Sequence, residues 1–132
     1  MKAVLLTSAL LAGFFCIAQT STVQHDESAR KESAVALVRL INTAEARYRV
    51  QKGAYGDFQQ LVGANLLQTK SARFAPGEQF NAANPTEPVP GLHLNLSLAA
   101  GGNGYQTSVL VTRDCGFYSD QDAVIFEMHP IR

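Results

Sequence analysis

Residues 34–62 read AVALVRLINTAEARYRVQKGAYGDFQQLV, and this stretch decides the fold. Ala34, Leu37, Leu40, Ile41, Ala44 and Tyr48 recur at intervals of three and four, the spacing that stacks side chains on one face of an α-helix. Arg39, Asn42, Thr43, Arg47 and Arg49 fall mostly off that stripe, on a side read as solvated. The pattern stops at Gly53. A glycine there supplies the left-handed backbone on which helices commonly end, and Lys52 just before it suits the negative end of the helix dipole. Gly56-Asp57 then offers a fresh start, with Asp57 as N-cap and Gln60 three residues on, the spacing of a capping box. A short second helix is predicted over 57–62, with a further attempt at Leu66-Leu67.

Upstream, the first helix is predicted to begin near Asp26, where Asp26, Glu27 and Glu32 suit the positive end of the dipole. Asp26 and Arg30, Glu27 and Lys31, and Glu45 and Arg49 are each four apart with the acid first. As exposed ion pairs they add about 0.2–0.5 kcal/mol apiece, so they support a solvated face and mark no site. Downstream, residues 71–90 carry Pro76-Gly77, Asn84-Pro85 and Pro88-Val89-Pro90. Such punctuation breaks helices and pairs poorly in sheets, so a long connection is predicted, of a length that usually serves function or motion.

The period then changes to two. Leu92, Leu94, Leu96 and Leu98 alternate with His93, Asn95 and Ser97, as in a strand with one buried face. Gly101-Gly102-Asn103-Gly104 marks a turn, and Tyr105 to Arg113 returns with Tyr105, Thr107, Val109 and Val111 on one side. Phe117-Tyr118-Ser119 and Ala123 to Glu127 read as two more strands around Asp120-Gln121-Asp122. The fold class is therefore α+β: a long N-terminal amphipathic helix packed on a 3–4-stranded antiparallel sheet, each burying the apolar face of the other.

The helix, the Gly-Tyr-Gly turn and the short Leu-containing segment of 34–62 resemble the end of the long helix in type IV pilins and type II secretion pseudopilins. The ending FYSDQDAVIF, residues 117–126, resembles the aromatic strand, Asp-containing turn and β-branched strand that close such heads. In order of elements the likeness spans roughly residues 26–127; residue by residue it rests on 34–62 and 116–126. It implies a structural or interaction protein and not an enzyme. It also implies that 71–90 is the variable connection between helix and sheet, and that calcium binding in the sheet region is an option.

Met1-Lys2, the apolar run Ala3 to Ala18 and the polar Gln19-Thr20-Ser21-Thr22 read as a secretory signal peptide, with cleavage after Ala18 and a single domain over 19–132. The apolar run is shorter than the roughly 20 residues a spanning helix needs, and a retained inner-membrane anchor is the alternative. A lipoprotein signal would want a small residue before Cys16, where Phe14-Phe15 stand. A prepilin signal needs a Gly-Phe junction ahead of the apolar run, whereas Gly13-Phe14 comes near its end, and Ala18 stands where the family has a Glu. The processing motif of true pilins is thus absent. Loss of Lys2 and Cys16 leaves ten basic against eleven acidic residues and one thiol, too few for an internal disulfide.

With 11 basic and 11 acidic residues in 132, no global field draws nucleic acid. Protein partners or self-assembly are expected instead, and membrane contact only if the first segment is retained. For metal, Asp120 and Asp122, with Asp114 and Ser119 nearby, offer hard oxygen ligands of the kind calcium takes, although aspartates in a hairpin turn more often bond their own backbone. Cys115 as a nucleophile would need a base beside it, His93 or His129, and no local signature places one there. His25, His93 and His129 show no metal-ligand spacing, the Gly-rich turn lacks the Lys-Ser/Thr of a phosphate loop, and Asn95-Leu96-Ser97 sits inside a strand. The sequence thus predicts an exported, non-enzymatic pilin-like protein of the periplasm or cell surface. The alternatives are a secreted calcium- or ligand-binding module and a small secreted thiol enzyme.

Overall fold

A computed structural model describes residues 18–131, with side chains from Asp26 onward. The predicted leader, Ala18 excepted, lies outside the described residues. Helix α1 (Ala18–Lys52) is followed by a short helix α2 (Phe58–Gly63) and four strands, β1 (His93–Leu98), β2 (Tyr105–Thr112), β3 (Cys115–Asp120) and β4 (Phe126–Met128). The strands form one antiparallel meander in the order β1-β2-β3-β4, and α1 lies across β2 and β3. The chain is α+β: a long helix packed on a four-stranded antiparallel sheet.

The helix ends follow the local chemistry. Gly53 takes φ +80°, and its N–H donates to the Arg49 carbonyl at 2.8 Å, the αL stop expected of this glycine. Asp57 caps α2 as predicted: its Oδ1 accepts from the Gln60 N–H at 2.8 Å, and Gln60 Oε1 accepts from the Asp57 N–H at 2.8 Å. The helix expected at Leu66-Leu67 does not form. Asn65 adopts a left-handed φ of 57°, a conformation its short polar side chain tolerates. The Leu66 N–H then bonds back to the Leu61 carbonyl and the Asn65 N–H to that of Val62. This pair of bonds terminates a helix, and it brings Leu66 onto Leu61 in the same apolar cluster.

At its other end α1 starts earlier than predicted, its helical backbone running from Ala18. Of the three expected ion pairs only Glu27 and Lys31 meet, at 3.9 Å. Arg30 instead donates to the Gly91 carbonyl at 3.0 Å.

The core lies between α1 and the inner sheet face. Ala34, Leu37, Val38 and Ile41 meet Leu94, Val109, Val111, Cys115 and Phe117, with Phe58, Val89 and Leu92 closing the side. These twelve buried residues form one cluster, whose removal from water works against the entropy cost of ordering the chain. The leucine alternation predicted from Leu92 to Leu98 holds in its first half: Leu92 and Leu94 are buried, Leu96 is partly covered, and Leu98 is exposed. β4 is shorter than the predicted 123–127 because Ala123, at φ 59°, still belongs to the turn.

Residues 71–90 are irregular, as predicted, but well anchored. Phe74 and Phe80 stack at 6.4 Å against the main cluster, and the Ala75 N–H donates to the buried Ser33 hydroxyl of α1 at 2.8 Å. The Leu94 N–H donates to the Thr86 carbonyl, so the connection covers the outer edge of β1. Among the described residues no helix is long and apolar enough to cross a membrane.

Candidate functional site

Two features of α1 carry chemistry, one buried and one on the surface. The buried one is a polar seam between the helix, the Gly-Tyr-Gly turn and the sheet. Asn42 and Glu45 are three apart and therefore share a helix face. Asn42 Nδ2 donates to Ser119 Oγ at 2.9 Å, and the Tyr105 hydroxyl donates to Asn42 Oδ1 at 2.8 Å. One amide thereby ties α1 to both β2 and β3. The Tyr55 and Tyr105 rings meet edge to face at 4.9 Å, and the Tyr55 N–H donates to the Gly102 carbonyl at 2.9 Å, joining the turn after α1 to the β1–β2 turn.

Glu45 sits in this seam with no solvent exposure. Its Oε2 accepts from the Gly56 N–H at 3.0 Å, while Oε1 has no hydrogen-bond partner among the described residues. Removing a carboxylate from water favours the neutral acid, and burial pushes the Glu45 carboxyl up to about 7. The Gly56 N–H pulls the other way and the charge of Asp57 adds to the rise. Burial also pushes the Tyr105 hydroxyl up, with Glu45 adding to it, so that hydroxyl stays a donor.

The expected pairing of Glu45 with Arg49 does not occur. Arg49 Nη1 donates to the Tyr55 hydroxyl at 2.6 Å, and its guanidinium stands 4.8 Å from the Tyr55 ring centroid. One signal could have revealed Glu45: it lies four residues after Ile41 and seven after Val38, on the apolar stripe itself.

The surface feature is an open groove of about 1120 Å³ along α1, walled by the helix and by residues 66–73. Val35, Ala36, Leu40 and Leu66 give it an apolar floor, and Arg39, Arg47, Lys70 and Arg73 stand exposed around it. Among the described residues none of these four cations makes a salt bridge; the other lining cation, Lys31, pairs with Glu127 at 3.2 Å.

The residues singled out in the sequence are scattered. Asp120 ends β3, and its Oδ1 accepts from the Asp122 N–H at 2.9 Å, an Asx turn; Asp122 is exposed in the turn itself. Among the described residues no group of three or more His, Cys, Asp or Glu side chains is placed to hold a metal. Cys115 is buried on the inner face of β3, and burial pushes its thiol up, Lys31 opposing and Glu127 adding to the rise. Its neighbour is a carboxylate and not a histidine: Glu127 Oε1 lies 3.7 Å from Cys115 Sγ and 3.4 Å from His129 Nε2. His93 stands exposed on β1 opposite Leu110 of β2. No family model, curated protein or solved structure matches the chain.

Proposed function

We propose that this chain is an exported, non-enzymatic module of pilin-like build whose work is to pack against other proteins, in the periplasm or at the cell surface. The observation that carries the reading is the length of α1. The helix runs unbroken from Ala18 to Lys52, and among the residues from Asp26 onward the buried ones begin at Ser33, with Asp26, Glu27 and Ser28 exposed. A polar helical stretch that outruns its own core suits a spine linking a head to its surroundings. The likeness of residues 34–62 and 116–126 to pilin-like heads supports the same reading, as does the leader-like start. The misplaced Gly13-Phe14 pair favours a free exported head over a processed pilus subunit.

The test is made in the native host: separate soluble from membrane material, measure the intact mass, and cross-link through photoreactive residues placed on α1. A soluble species beginning near Gln19, joined to a defined protein neighbour, is the expected result. A membrane-bound species keeping residues 3–18 moves the same module onto an inner-membrane anchor. A chain that never leaves the cytoplasm, or one that cross-links to no protein from any face, refutes the proposal.

A further inference from the structure

The described residues leave the groove along α1 open. Arg39 and Arg47 come from the helix, Lys70 and Arg73 from the segment beside it, and all four are exposed. The whole chain is electrically balanced, with 11 basic and 11 acidic residues. Gathering on one groove four cations that make no salt bridge among the described residues costs mutual repulsion, and the packing of α1 on the sheet does not use them, since it runs through Ala34, Leu37, Val38 and Ile41. Such a field attracts a partner of opposite sign and orients it.

The shape narrows the partner. The lining runs along α1 from Ser28 to Arg47, roughly 28 Å at 1.5 Å per residue, and its volume of about 1120 Å³ exceeds the usual small-molecule range. An elongated occupant fits better than a compact one. The floor of Val35, Ala36, Leu40 and Leu66 calls for apolar side chains, which a bare polyanion lacks. Glu32 and Glu127 also line the groove and would repel an unbroken row of phosphates.

We infer that the groove docks an acidic amphipathic segment of a partner protein, its apolar residues on the floor and its carboxylates on Arg39, Arg47, Lys70 and Arg73. This deepens the reading of the chain as an interaction module and rests on it. Arginine and lysine on the rim set the partner's register and speed its arrival, and the floor supplies the area that holds it.

The experiment uses the full chain and a phage-displayed library of random peptides about 20 residues long, enough to cover the groove as a helix. The expected winners combine Asp and Glu with Leu, Ile or Phe at intervals of three and four. A synthetic winner should shift amide signals of α1 and residues 66–73. Its Kd should weaken about tenfold or more in the doubly reversed variant R39E/R73E, and less in R39Q/R73Q, with circular dichroism confirming that both fold. Three results overturn the inference: winners without acidic bias, shifts confined to the outer face of the sheet, or equal competition by polyglutamate, oligo-dT or phosphatidylglycerol vesicles. Should these occur while native cross-links still join another face to a protein, the groove assignment fails and the interaction reading stands.

Discussion

Replacing Glu45 with glutamine tests whether a buried carboxyl sets the pH dependence of this fold. In the folded chain the group has its carboxyl pushed up to about 7 from an ordinary value of 4.5. Between those two values the folded state binds a proton that the unfolded state does not. Stability from this group is therefore complete below about 4.5 and is lost as pH rises through about 7. A gap of about 2.5 units at 1.36 kcal/mol each makes the loss about 3 kcal/mol, a large share of a small domain's stability. Glu127 works the other way and in another window: Lys31 holds its carboxyl low, so its contribution is lost only as pH falls below the usual carboxylate range. The Glu45→Gln chain keeps a carbonyl for the Gly56 N–H and carries no charge. Urea denaturation at about pH 4.5, 6 and 8 should show the parent weakening across the series and the variant nearly flat. Glutamine should then be the more stable of the two at pH 8, by up to about 3 kcal/mol. A parent whose stability is level or rising from pH 4.5 to 8, or a variant that falls in parallel with it, would refute the assignment.

Three further outcomes are expected. Gly56→Ala places a methyl 2.8 Å from Cε1 of the Tyr48 ring, so thermal melts should show a loss of about 1–3 kcal/mol; an unchanged melting temperature would mean the ring swings away freely. Cys115, buried and with its thiol pushed up, should react with a neutral-pH thiol reagent only as fast as the chain opens; prompt stoichiometric labelling would revive the thiol-enzyme alternative. Millimolar calcium should leave the melting temperature where it is, since Asp120 already serves its own turn; a rise that Asp120→Asn and Asp122→Asn abolish would establish a calcium site there instead.

The parts legible in the sequence were those settled by neighbours in the chain. Gly53 as helix stop, the Asp57–Gln60 box and the alternation of Leu92 and Leu94 each depend on residues within a turn or a strand. Glu45 was misread for the opposite reason. Read along its own helix it pairs with Arg49, but the turn at Tyr55-Gly56 folds back over it, and Tyr55 takes the arginine while Gly56 takes the carboxylate. Leu66-Leu67 kept its helical pattern, yet the left-handed Asn65 had already closed α2. The groove was out of reach altogether. Its floor needs Leu66 beside Leu40, and its cations come from segments that are adjacent only after the chain has folded.

The seam around Asn42 has a consequence for how the chain comes into being. Its amide waits for Ser119, 77 residues further on, and α1 rests chiefly on β2 and β3, the second and third strands to emerge. A chain delivered from its N-terminus thus shows an apolar helix face that stays only partly covered until β2 and β3 arrive. Closure is late and long-range, the kind that slows folding and invites wrong partners in the meantime.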